Sequence, residues 1–150
     1  MKTVSKRTFT AIVACMMACL MFVTPVFAAS TFYSKSTPKL NAANGGKSTT
    51  SSLSSGSIIG SDASITEVKL AFNVSRGTDP YTLWIKSPNG SWHSYAGPTS
   101  STTWYLHDFD GENPSGNWQI YIVNSGVSYN GNIIPVSTVT VSLTVYYDYK

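Results

Sequence analysis

His107–Gly126 reads HDFDGENPSGNWQIYIVNSG, and this one window holds a polar turn, a Pro and Gly stop and an alternating strand. Asp110, Gly111, Asn113, Pro114 and Gly116 set tight turns, because they tolerate left-handed backbone, fix φ, or bond their side chains back to the chain. Straight after them, Trp118, Ile120 and Ile122 interleave with Gln119 and Tyr121. A period of two turns one apolar face inward, so the window predicts a loop followed by a core strand in which Trp118 is buried.

The same period recurs on both sides. Val68, Leu70, Phe72 and Val74 alternate with Glu67, Lys69, Ala71 and Asn73, the pattern of a half-buried strand. Tyr81, Leu83 and Ile85 face one way and Thr82, Trp84 and Lys86 the other, before Ser87-Pro88-Asn89-Gly90 turns the chain. Trp92–Tyr95 is expected to pair back as a hairpin, and Trp104–Phe109 reads as another short strand. Val139, Val141, Leu143, Val145 and Tyr147 close the chain, alternating with Thr138, Thr140, Ser142, Thr144 and Tyr146 in a run rich in β-branched and aromatic residues. No helical period follows the N-terminal segment, and short strands between turn clusters predict an all-β, antiparallel sandwich.

Several of these motifs, in this order, resemble the P domain (Homo B), the β-sandwich that follows the subtilisin-like catalytic domain of furin and kexin. The window matches that domain's aromatic residue, acidic stretch, Pro-Ser-Gly, Trp and alternating strand. Gly77–Gly90 (GTDPYTLWIKSPNG) is similar to its Gly-Asp-Leu strand ending in Ser-Pro-x-Gly, and Val136–Tyr147 to its closing strand. One departure is an inserted residue, Gly77-Thr78-Asp79-Pro80-Tyr81, with Tyr81 in the Leu position. The resemblance spans residues 60–147 and implies a jelly roll of the galactose-binding-domain type. It also implies one or two short strands in the Ser/Thr/Asn/Gly-dominated stretch 29–59, around Ser51–Ile59, where composition alone reads as flexible. The expected organisation is therefore a leader over 1–28, a polar segment with edge strands over 29–59, and one P-domain-like sandwich over 60–150.

The leader is read from Lys2, Lys6 and Arg7 ahead of the apolar run Ala11–Val23, Pro25 and a small-residue site. This predicts a secretory signal peptide cleaved after Ala28, with Ala29 as second choice, and a secreted product. The run is shorter than the roughly 20 residues a spanning helix needs, so no membrane anchor is expected after cleavage. Both cysteines, Cys15 and Cys19, lie within the leader. Its loss also lowers the ten basic residues to seven, equal to the seven acidic ones. A neutral chain with scattered lysines disfavours nucleic acid and electrostatic membrane binding, and a monomer is expected.

Candidate chemistry is sparse. The histidines of the mature chain are His93 and His107, no Gly-x-Ser-x-Gly elbow is present, and the convertases' catalytic triad belongs to a separate domain that has no counterpart here. An orphan hydrolase is thus a remote alternative to a non-catalytic module. Asp108, Asp110 and Glu112 place three carboxylates within five positions, able to offer oxygen ligands to calcium or simply to face water around a turn; no other cofactor is expected. Trp84, Trp92, Tyr95, Trp104 and Tyr105 concentrate in the middle of the chain, and such rings can stack on sugar faces. Trp84 has outward parity, and its alternative role is packing beneath a loop or against the Ser-rich N-terminal segment. Two functions follow as expectations. The resemblance implies an accessory module that binds or stabilises a secreted protein such as a subtilisin-like protease; the aromatic supply suggests a binder of cell-surface or wall glycans.

Overall fold

A computed structural model describes residues 28–128 and 134–150; the predicted signal peptide lies outside them except for its last residue. The described residues form nine strands: β1 (Ala29–Ser36), β2 (Leu40–Ala43), β3 (Ser51–Ser54), β4 (Ser64–Val74), β5 (Tyr81–Lys86), β6 (Trp92–Ala96), β7 (Thr102–Leu106), β8 (Asn117–Asn124) and β9 (Val136–Tyr149). One antiparallel sheet runs β1-β9-β4-β7 with β2 also on β9, and the other runs β3-β8-β5-β6. The chain changes sheet at nearly every connection, and only the β1–β2 link and the β5–β6 hairpin stay within one. The fold is the all-β antiparallel sandwich that the alternation predicts.

The core is what the period of two selects. Leu83, Ile85, Ile120, Ile122, Trp118, Val139, Val141, Leu143 and Val145 have no solvent exposure. Fully burying a large apolar side chain contributes about 1.5–3 kcal/mol, so this layer between the sheets dominates stability. Trp118 sits at its centre, edge-on to Phe109 at 5.0 Å between ring centroids. Its indole N–H would be an orphan there, but Nε1 donates to Tyr33 Oη of β1 at 2.8 Å, and that hydroxyl donates to the Pro114 carbonyl at 2.7 Å.

Two details differ from the sequence reading. The strand expected over Trp104–Phe109 spans Thr102–Leu106 instead. His107–Asp110 forms a turn closed by the Asp110 N–H on the His107 carbonyl, which tucks Phe109 under Trp118 as a loop residue. In addition, β4 is bulged between Ile65 and Glu67. The Ile65 N–H donates to the Glu112 carbonyl and the Gly111 N–H to the Ile65 carbonyl, so the acidic loop hangs from the bulge rather than floating free.

In the Ser-rich segment β1 and β2 are ordered by β9 and β3 by β8. Eight residues of β1 pair with β9, supplemented by Ser34–Thr144 and Ser36–Ser142 hydroxyl bonds of 2.7 and 2.8 Å. Thr78 and neighbouring Asp79 hold the start of β9: the Val136 N–H donates to Asp79 Oδ2 at 2.7 Å, and Thr78 Oγ1 donates to the Thr138 carbonyl at 2.9 Å. The Pro-Ser-Gly turn docks on Ser55, whose Oγ accepts from the Gly116 N–H at 3.0 Å.

Candidate ligand-binding face

On β5 and β8, side chains alternate between the core and the outer face of the four-stranded sheet. Register places Trp84 directly opposite Tyr121, both pointing outward. Their rings lie 6.0 Å apart and within 10° of parallel. Trp92, opposite Lys86 on β6, leans across to stand 5.8 Å from Tyr121 and 6.4 Å from Trp84, steeply inclined to both. It keeps 43% of its surface exposed, which for a tryptophan is a large apolar area left to water. Two lysines complete the face. Lys47, bridged to Val123 just ahead of β3, holds Nζ 3.6 Å from the centre of the Tyr121 ring, and Lys86 Nζ stands 5.5 Å from that of Trp92. Both are cation–π contacts.

The five aromatics singled out in the sequence separate into three places. Trp84 and Trp92 meet on this face. Tyr95 and Trp104 lie 6.2 Å apart at the seam where the edge strands β6 and β7 leave the sandwich open, with Trp104 edge-on to Phe72 at 4.6 Å. Together with Ala96, Thr103, Tyr105 and Leu106 they line a shallow groove of about 550 Å³. Tyr105 turns toward the outside of the five-stranded sheet, opposite Lys69. Tyr121 completes the face but was not among the sequence candidates; its outward parity beside Gln119 was the available signal.

The acidic loop spends its carboxylates on separate partners. Asp108 Oδ2 accepts from Tyr95 Oη at 2.7 Å, and burial, aided by that carboxylate, pushes the Tyr95 hydroxyl above its ordinary range. Asp110 Oδ2 lies 2.9 Å from His107 Nδ1 and raises the pKa of that imidazole, while Glu112 Oε2 accepts from Asn89 Nδ2 at 3.3 Å. Among the described residues no group of three or more His, Cys, Asp or Glu is arranged to hold a metal ion. His93 packs on Phe109 at 4.8 Å, and among the described residues no serine hydroxyl is hydrogen-bonded to either histidine.

Fold and face together define a class: an antiparallel β-sandwich carrying an aromatic cluster, flanked by lysines, on one outer face. No family model matches the sequence, and no curated protein matches it. Among solved structures the chain is similar to that reported as the crystal structure of FLHE, with a TM-score of 0.54 and 18% identity over 80% of this chain and 96% of that one. It is also similar to the serine protease of Aeromonas sobria, with a TM-score of 0.57 and 12% identity, over 89% of this chain but 30% of the protease chain. At these identities the likeness is one of fold.

Proposed function

We propose that this protein is a secreted, non-catalytic binding module that holds a cell-surface or wall carbohydrate on the outer face of its four-stranded sheet. The observation that carries the reading is the Trp84, Tyr121 and Trp92 cluster: three large rings brought together from three strands, partly exposed, on the outer face of the four-stranded sheet. Aromatic faces of this kind stack on the C–H faces of sugar rings, burying apolar area on both sides. The test is electrophoresis of the purified protein through gels cast with soluble polysaccharides, together with sedimentation on insoluble wall material. Retention that disappears in Trp84→Ala while circular dichroism stays native supports the reading. Failure to bind any polysaccharide would sink it.

The accessory role that the P-domain resemblance implies is a second reading. Its support is the shared fold with a segment of a serine protease chain. On that reading the module slows thermal inactivation of a subtilisin-like protease from the same secretome when the two are mixed, and an unchanged inactivation rate counts against it.

A further inference from the structure

The charge around the three rings is one-sided. Strands β3, β5, β6 and β8, which make up the sheet, contain no Asp or Glu at all, while Lys47 and Lys86 stand at its two ends against Tyr121 and Trp92. The carboxylates lie elsewhere: Glu67 and Asp148 on the five-stranded sheet, Asp62 near the Lys150 ammonium, Asp79 on the Val136 N–H, Asp108 and Asp110 in the loop after β7. Glu112, which comes up to the β5–β6 hairpin, is taken by Asn89. Residues 29–150 are neutral in sum, so this cationic face is a matter of placement and not of an overall excess of positive charge.

We infer that the ligand of this face is an acidic polysaccharide whose sugar rings themselves carry carboxylates, a uronic acid polymer. The inference rests on the carbohydrate reading above and narrows it. With Trp84 stacked parallel to Tyr121 and the Lys47 ammonium 3.6 Å from the centre of the Tyr121 ring, a sugar seated against the cluster lies beside that ammonium and not over Tyr121. A carboxylate borne on the sugar ring brings its charge to that ammonium, which a phosphate in a flexible linker does less directly. Tyr121 and Trp84 lie opposite each other on β8 and β5, Trp92 lies opposite Lys86 one row further along on β6, and Lys47 lies opposite Val123 on the far side of β8, so rings and lysines form a diagonal across the strands, the rings alone spanning two inter-strand steps of roughly 10 Å, and the polymer crosses the strands instead of following one. A neutral ligand covering the two ammonium groups would remove their water with only the cation–π contacts to offset the loss; an anion adds a charge-assisted contact to each.

The experiment compares polygalacturonate with its fully methyl-esterified form, which keeps the sugars and removes the charge, and includes a neutral β-glucan and dextran sulfate. The expected result is binding to polygalacturonate that weakens as sodium chloride is raised and is lost in Trp84→Ala. Lys47→Gln and Lys86→Gln each weaken it about two- to fivefold, and together about tenfold, the size that exposed ion pairs supply. Thermal melts of the variants confirm that they fold. Equal affinity for the methyl ester, with both lysine variants unaffected, overturns the acidic assignment and leaves the carbohydrate reading standing. Equal binding of dextran sulfate, retained in Trp84→Ala, overturns it as well, since charge alone would then suffice. No binding to any of the four polymers removes the carbohydrate reading itself.

Discussion

Tyr33→Phe isolates the contact that ties β1 to the core. The substitution keeps the ring and its tilted packing on Tyr147 at 6.2 Å, and removes a single oxygen. That oxygen accepts from Trp118 Nε1 at 2.8 Å and donates to the Pro114 carbonyl at 2.7 Å. Trp118 has no exposed surface, so its N–H is left without water as well as without a partner. A buried donor orphaned in this way costs about 1–3 kcal/mol, and the freed carbonyl adds toward the upper end, so a loss of about 2 kcal/mol is expected. Urea unfolding followed by tryptophan fluorescence measures it, with an unchanged slope expected because the surface exposed on unfolding is the same. The alkaline limb supplies a second reading. Burial raises the Tyr33 hydroxyl from 10.0 to about 12 in the folded chain. A group raised on folding contributes stability that is complete below its unfolded pKa and is lost as pH climbs through the folded value, here between about 10 and about 12. The variant should lose that part of the decline, while Tyr81 and Tyr95, also raised by burial, keep the remainder. Tyr105→Phe, at a ring 58% exposed, serves as the control and should leave the urea midpoint unchanged. A loss below about 0.5 kcal/mol, smaller than a typical net hydrogen bond, would refute the claim that this hydroxyl satisfies Trp118.

Gly116→Ala should lower the melting temperature by about 4 °C or more, because Gly116 holds a φ of 126° and an added Cβ would sit 2.9 Å from Pro88 Cβ; an unchanged melt contradicts that geometry. The His107 imidazole should titrate by NMR above 6.5, and Asp110→Asn should bring it back toward that value; its contribution to stability is present at acid pH and fades as pH rises through the folded pKa. Melting curves in calcium and in chelator should superimpose, since Asp108, Asp110 and Glu112 are held by Tyr95, His107 and Asn89 respectively; a calcium-dependent shift would mean that the loop rebuilds itself around the ion.

Parity carried most of what was legible in the sequence. Wherever apolar residues alternate, as from Trp118 to Ile122 or Val139 to Tyr147, the inward set is buried, because a sandwich interior accepts every second side chain and nothing else. β1 lacked that signal: its hold is a backbone ladder and hydroxyl pairs with β9, far away in sequence and invisible to a local window. The site was legible in part for the same reason. Outward parity picked out Trp84, but which rings would meet depended on register between strands, and register brought in Tyr121 while sending Tyr95 and Trp104 to the open seam. Trp84 is half-buried, with Trp92 and Tyr121 lying against it.

The position of β9 constrains how the molecule can be made. The first described strand finds its partner in the last one, with Ser30 bonded to Asp148 across 118 residues, and β2 and β4 draw on the same strand. β4 can pair with β7 before β9 is made, but β1 and β2 find their partner only once β9 has followed. Contacts this distant close slowly, on the order of milliseconds to seconds in domains of this type. Removal of Val136–Tyr149 would take away the strand to which β1, β2 and β4 all pair rather than trim an edge.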